Sequence, residues 1–165
     1  LIAAPPSSER KIMKKALSLC PFLIALTLAF WAVMPTPDAL AGSMCMTHPS
    51  TTNCDGLTPL GTGCSADAVD LVPPVGGSGF TVQLRYSPTC QSAWARTSTG
   101  KLEHIQACVA RKDLTTNSPQ CQVATGTVVF TSMLYLGRNT YYGKAGGGHY
   151  SGTETLTYTG WAYGY

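Results

Sequence analysis

From Phe80 to Ser87 the chain alternates Phe80, Val82, Leu84 and Tyr86 with Thr81, Gln83, Arg85 and Ser87. That is the period-two pattern of a strand with one apolar and one polar face. Pro88 cannot donate to a ladder and ends it, and Cys90 to Arg96 reads as the returning partner with Trp94 on the buried side. Residues 102–111 place Leu102, Ile105, Cys108 and Val109 at helical spacing, but so short a run pinned by Cys108 also suits a strand, which is the preferred reading. Val123 to Leu136 is rich in Val, Thr, Phe and Tyr, with Thr125-Gly126 marking a bend or bulge. Tyr141 and Tyr142 lead into Gly146-Gly147-Gly148, read as a flexible break, and Thr153 to Trp161 alternates again. Residues 42–79 are turn-rich, punctuated by Pro49, Pro59, Pro73, Pro74 and Gly76-Gly77-Ser78-Gly79, and only Ser65 to Leu71 looks locally helical. About five or six strands without a crossover-length helix predict an all-β fold. The expected form is a small disulfide-stabilised antiparallel barrel or sandwich with a turn-rich N-terminal region and at most one short helix.

The first 41 residues follow a different pattern. Arg10, Lys11, Lys14 and Lys15 precede an apolar run from Ala16 to Met34, and Pro35-Thr36-Pro37-Asp38 leads into Ala39-Leu40-Ala41. A basic start, an apolar middle and a small-x-small end are the marks of a signal peptide, so residues 1–41 are expected to be removed before Gly42. Met13-Lys14-Lys15 makes Met13 an alternative start. A retained membrane anchor is the competing reading of the apolar run, and a basic stop-transfer cluster does not follow it. Export would place the single domain 42–165 outside the cell, with the membrane met only through the leader before cleavage.

Composition sharpens this. From Gly42 onward Leu, Ile, Val and Phe supply only 20 of 124 residues, too few for an ordinary aliphatic core, so covalent cross-links are expected to carry part of the stability. The same stretch holds Cys45, Cys54, Cys64, Cys90, Cys108 and Cys121. An even set in an exported chain predicts three disulfides, whose pairing the spacing leaves open. No Cys-x-x-Cys pair suggests a redox motif or zinc knuckle, and Cys45, His48, Cys54 and Cys64 match no closed metal site. Neither a metal nor a cofactor is expected.

Cys54-Asp55-Gly56, Gly63-Cys64-Ser65-Ala66-Asp67-Ala68, Gln83-Leu84-Arg85-Tyr86-Ser87-Pro88-Thr89-Cys90 and Trp94-Ala95-Arg96 together resemble the signature of a bacterial family of small secreted proteins, the domain of unknown function numbered 2690. The likeness covers residues 54–96, with a looser continuation at Thr131-Ser132-Met133. In that family the position of Gln83 usually looks like a carboxylate. The family carries no agreed activity, so the resemblance implies an exported domain and transfers no catalytic residue.

Catalytic constellations are sparse in the residues themselves. His48, His104 and His149 are the only histidines, no Gly-x-Ser-x-Gly elbow is present, and Ser65 with Asp67 is too local for a triad. No phosphate loop or dinucleotide fingerprint occurs, and seven scattered basic residues against six acidic ones after Gly42 exclude the charged stripe of a nucleic-acid binder. Two binding candidates stand out. Arg85 and Arg96 lie on neighbouring strands within reach of Asp67 or Asp70, either as an anion site or as loop anchors. Tyr141, Tyr142, Trp161 and Tyr163 belong to an aromatic-rich C-terminus suited to sugars, wall polymer or another protein, or to covering a small core. The expected function is that of a secreted non-enzymatic binding or structural module, with a cell-wall glycan or a secreted protein as partner. The alternative is a small secreted hydrolase built from dispersed Asp and His residues, favoured if His48 or His104 meets Asp67 or Asp70.

Overall fold

The computed structural model describes residues 37–112, 119–151 and 156–165, so the expected leader of residues 1–41 lies outside them except for its last five residues. The frame is a hairpin. β3 (Phe80–Ser87) pairs antiparallel with the first half of β4 (Ser92–Lys112) over its whole length, from Phe80 opposite Thr99 to Ser87 opposite Ser92. Alternation does what the pattern predicts: Val82, Leu84 and Tyr86 are fully buried while Gln83 and Arg85 face outward. The residues 102–111 are strand, continuous with the Trp94 segment in one 21-residue β4.

A strand this long can be edged by several others. β5 (Gln120–Phe130) pairs both halves of β4, with a register irregularity between Ser98 and Glu103, opposite the stretch that includes Gly126. β6 (Leu134–Tyr135) continues that edge, and β7 (Tyr142–His149) lies along the other side of β4 from Ile105 to Lys112. β8 (Thr157–Tyr158) and β9 (Ala162–Tyr163) pair with β7; β1 (Val69–Asp70) and β2 (Val75–Gly77) pair with β3. All pairings are antiparallel, and the sheet curls into a half-barrel. Its concave face holds the main core of Val82, Leu84, Tyr86, Ala95, Ile105, Ala107, Val109, Val129, Leu136 and Ala145.

Four local expectations need correction. Nine strands occur among the described residues, more than five or six, because short pairings such as β1, β6 and β9 have no alternating pattern to announce them. Ser65 to Leu71 is not helical: Asp67 is held by Ser87 and Thr89, and Val69–Asp70 joins the sheet. Among the described residues the helices are two, α1 (Pro37–Thr47), which runs through Ala39-Leu40-Ala41, and α2 (Thr51–Cys54), capped by the Ser50 hydroxyl, which accepts from the Asn53 N–H at 3.1 Å. Gly146-Gly147-Gly148 is no flexible break but the buried middle of β7. A Cβ on Gly147 would collide with Thr97 Oγ1 and sit 2.9 Å from Val82 Cγ2, so glycine lets β7 approach the core. The proposed alternation of Thr153 to Trp161 falls partly outside the described residues, which show strand there only at Thr157–Tyr158.

Candidate functional site

The convex face of the sheet is used in two ways. Its first half is covered by the N-terminal segment, which buries a second cluster of Cys45, Cys54, Cys64, Cys90, Trp94 and Met133. Trp94 is therefore buried, on the face opposite Leu84 and Ala95. Disulfides join Cys45 to Cys54 and Cys64 to Cys90, and the two bridges touch, with 4.0 Å between the sulfurs of Cys45 and Cys64. These sulfurs are spent on covalent bonds, and the His48 ring lies against Thr47 Oγ1, so the four do not form an open ligand set. The third bridge, Cys108–Cys121, joins directly opposed residues of β4 and β5. Closing a loop of this size restricts the unfolded chain by about 3 kcal/mol.

Beside the covered half lies the arginine cluster. Arg85 Nη1 contacts Asp70 Oδ1 at 3.0 Å, and its Nη2 donates to the Ala68 carbonyl at 2.6 Å. Gln83 links the two arginines: its amide NH₂ donates to Asp70 Oδ2 at 3.0 Å while its carbonyl oxygen accepts from Arg96 Nη1. An amide both donates and accepts here, whereas a carboxylate at position 83 would face Asp70 with like charge. Arg96 also lies over the Phe130 ring at 6.0 Å. Each arginine is engaged by groups of its own chain that tie β1, β3 and β4 together. Asp55 and Arg111, which the sequence did not single out, do the same elsewhere. Their side chains meet at 2.8 Å, Asp55 Oδ1 accepts from the Tyr135 N–H, and Arg111 lies 5.0 Å from the Tyr141 ring centroid. Tyr141 is thus half-buried against the core and separated from the other candidate aromatics.

Those others come together on the second half of the convex face. Alternation puts Tyr142, Lys144 and Gly146 of β7 outward, and pairing adds Tyr163 opposite Tyr142 and Tyr158 opposite Gly146. The rings of Tyr142 and Tyr163 stack with centroids 3.6 Å apart and planes inclined at 32°. A hydrogen bond with the Tyr142 hydroxyl pushes the Tyr163 phenol above its ordinary pKa. Lys144 Nζ sits 4.7 Å from the ring centroids of both Tyr158 and Trp161, contacts worth about 0.5–1 kcal/mol each at exposed positions. Tyr158, Trp161 and Tyr163 retain 49%, 38% and 40% of their exposure, which separates them from the buried Tyr86 and Trp94. Lys144, Tyr158 and Trp161 rim a depression of about 230 Å³ with Cys108, Ala110 and Pro119. The surface is an aromatic platform around one ammonium group. Tyr158 belongs to the aromatic-rich C-terminus noted in the sequence, but Lys144 was not singled out there; two-residue spacing from Tyr142 was the available signal for it.

Of the three histidines only His149 meets a carboxylate among the described residues, and it is Glu103 and neither Asp67 nor Asp70. His104 packs edge-on to Tyr150, and His149 presents Nδ1 to Glu103 at 2.7 Å and Nε2 to the Ser78 carbonyl at 2.9 Å. Neither His48 nor His104 forms a hydrogen bond or ion pair with Asp67 or Asp70.

The molecule is thus a disulfide-stapled antiparallel half-barrel with a covered and an open convex surface. It belongs to the family described as Protein of unknown function (DUF2690), whose model matches residues 52–142. No curated protein and no solved structure matches the chain. The family match takes in the Cys64–Cys90 and Cys108–Cys121 bridges and the arginine cluster, leaves Cys45 outside, and ends at the first residue of β7. Lys144, Tyr158, Trp161 and Tyr163 lie beyond it.

Proposed function

We propose that the protein is an exported, non-enzymatic recognition module that binds an extracellular glycan through the aromatic platform of β7, β8 and β9. The observation that carries this reading is the partly exposed Tyr142–Tyr163 stack on the same strand face as the Lys144 cation, held on paired strands. Aromatic faces with polar rims suit the apolar C–H faces of sugar rings, and strands fix them more rigidly than loops would. Export accords with three disulfides, which persist in oxidising compartments, and with the basic and apolar leader pattern. Among the described residues no helix is long and apolar enough to cross a membrane.

The test is co-sedimentation of the oxidised chain with insoluble glycans, namely cell-wall sacculi, chitin and cellulose. Wild type is expected to sediment with at least one of them. Trp161→Ala is expected to weaken that binding tenfold or more while leaving Tm unchanged, because truncation of a contacting aromatic commonly removes 2 kcal/mol or more. Binding that survives in the Trp161→Ala, Tyr163→Ala double variant refutes the platform as the site.

A further inference from the structure

We infer that the platform reads a negative charge alongside a sugar face, so that its ligand is an acidic glycan and Lys144 is the residue that selects it. This rests on the recognition reading above and goes further in naming the class of ligand.

The argument begins with charge accounting on the convex face. Lys144 is bracketed by two aromatic rings, and no carboxylate among the described residues pairs with it. Lys112 stands opposite Tyr142 in the β4–β7 register, on the same face, exposed and also without a carboxylate partner there. Among the described acids, Asp55 is committed to Arg111 and the Tyr135 N–H, and Glu103 to Lys101 and His149. Two positive charges therefore stand on an aromatic surface with no carboxylate of the described residues paired to them.

Geometry makes this more than a basic patch. A ring face orients the ammonium by its quadrupole without cancelling its charge, so Lys144 keeps its capacity for an anion while its stem is held still. Along β7, the Tyr142 stack, Lys144 and the Tyr158 ring over Gly146 follow one another at two-residue steps, about 6.6–6.8 Å apart. Ring, cation and ring in line match a polymer that alternates apolar sugar faces with charged substituents. A neutral glycan would use the rings and leave the lysines unpaired. A chain of phosphates without sugar faces would use the lysines and leave the rings unused.

The experiment compares three soluble polymers by isothermal titration at low salt: a polyuronate, a neutral glucan, and a polyglycerol phosphate that carries charge without sugar rings. The polyuronate is expected to bind at least tenfold tighter than either of the others, and to weaken as salt screens the exposed pair. Lys144→Met, which keeps the apolar stem, is expected to bring polyuronate binding down to the glucan level with Tm unchanged. Equal binding of polyuronate and glucan, insensitive to Lys144→Met, overturns the acidic preference and leaves the recognition reading standing. Polyglycerol phosphate binding as tightly as polyuronate, with no effect of Trp161→Ala, overturns both, because charge alone would then account for the interaction.

Discussion

Two adjacent glycines provide a separation of fold from function, because β7 points them at opposite faces. At Gly147 an added Cβ collides with Thr97 Oγ1 and lies 2.9 Å from Val82 Cγ2 and 3.0 Å from the Gln106 carbonyl, all inside the core. None of these can move without shifting β3 or β4. Overpacking of this kind costs about 1–3 kcal/mol, and backbone and a fully buried threonine as neighbours favour the upper end. Gly147→Ala is therefore expected to lower Tm by on the order of 10 °C in a unit of this size. At Gly146 the three atoms nearest the Cβ all belong to the Tyr158 ring, the closest at 2.5 Å, and that exposed side chain can swing away. Gly146→Ala is expected to hold or slightly raise Tm, since alanine restricts the unfolded chain by about 0.4–1 kcal/mol, while glycan binding falls as Tyr158 leaves the platform. Thermal melts followed by circular dichroism, with co-sedimentation on the same samples, read both quantities. A double cycle adds rigour. Thr97 Oγ1 is buried without a hydrogen-bond partner, so Thr97→Ala removes the colliding atom and is expected to recover at least 1 kcal/mol in the Gly147→Ala background. Equal loss of Tm in the two glycine variants, or no recovery in the double variant, refutes the assignment of faces.

Three further outcomes test the scaffold. Burial pushes the Tyr86 phenol up to about 12 from 10.0, so its contribution to stability is complete below pH 10 and is lost as pH rises from 10 towards 12; spectrophotometric titration should lose a late-ionising tyrosine in Tyr86→Phe, and an alkaline limb unchanged by that substitution contradicts this. Burial raises the Asp67 carboxyl, but hydrogen bonds from Ser87 and Thr89 outweigh it and hold the group below 3.8; its stabilisation is present above that pH and disappears as pH falls through the lower folded value. Asp67→Asn should therefore lower stability by about 1–2 kcal/mol at pH 7 and flatten the acid limb of the denaturation curve, and an unchanged acid limb counts against the carboxylate. Arg85→Met should lower stability by about 1 kcal/mol through loss of the Asp70 and Ala68 contacts and leave glycan binding intact; lost binding at unchanged stability would restore the arginines as a ligand site.

Where the physics is local, the sequence was a good guide. Alternation in 80–87 described β3 residue by residue because one face packs on the core and the other meets Asp70 and Arg96. The even cysteine set foretold three bridges, but their pairing depends on which loops return to β3, and spacing carries no such information. The misreadings all come from partners distant in the chain. Gly146–Gly148 looked permissive until Thr97, fifty residues away, and Tyr158 were seen to occupy the space of the missing side chains. Ser65–Leu71 had a helical look, yet Ser87 and Thr89 hold Asp67 in a turn. Tyr141 and Tyr142 are neighbours in sequence and part company in the structure, one against Arg111 and the core, the other on the platform. Lys144 was passed over because a single lysine has no pattern; only the register that sets Tyr163 and Tyr158 around it gives it a role.

The distribution of large side chains gives the argument for recognition its physical footing. A domain with so few aliphatic residues has reason to bury every aromatic it can, and it does bury Tyr86 in the main core and Trp94 in the sulfur cluster. It nevertheless leaves Tyr142, Tyr158, Trp161 and Tyr163 on one open face, next to lysines and over a disulfide that stiffens the strands beneath. The N-terminal segment shows that this sheet can cover its convex side, since it does so over Trp94. Burial was thus an available solution, and leaving the second half bare forgoes stabilisation of about 1.5–3 kcal/mol for each large apolar side chain. Exposed aromatic surface left in this way is the physical ground of the recognition proposed above. The family match stops at Tyr142, so it covers β4, β5 and the Cys108–Cys121 bridge beneath the proposed platform, while Lys144, Tyr158, Trp161 and Tyr163 follow it.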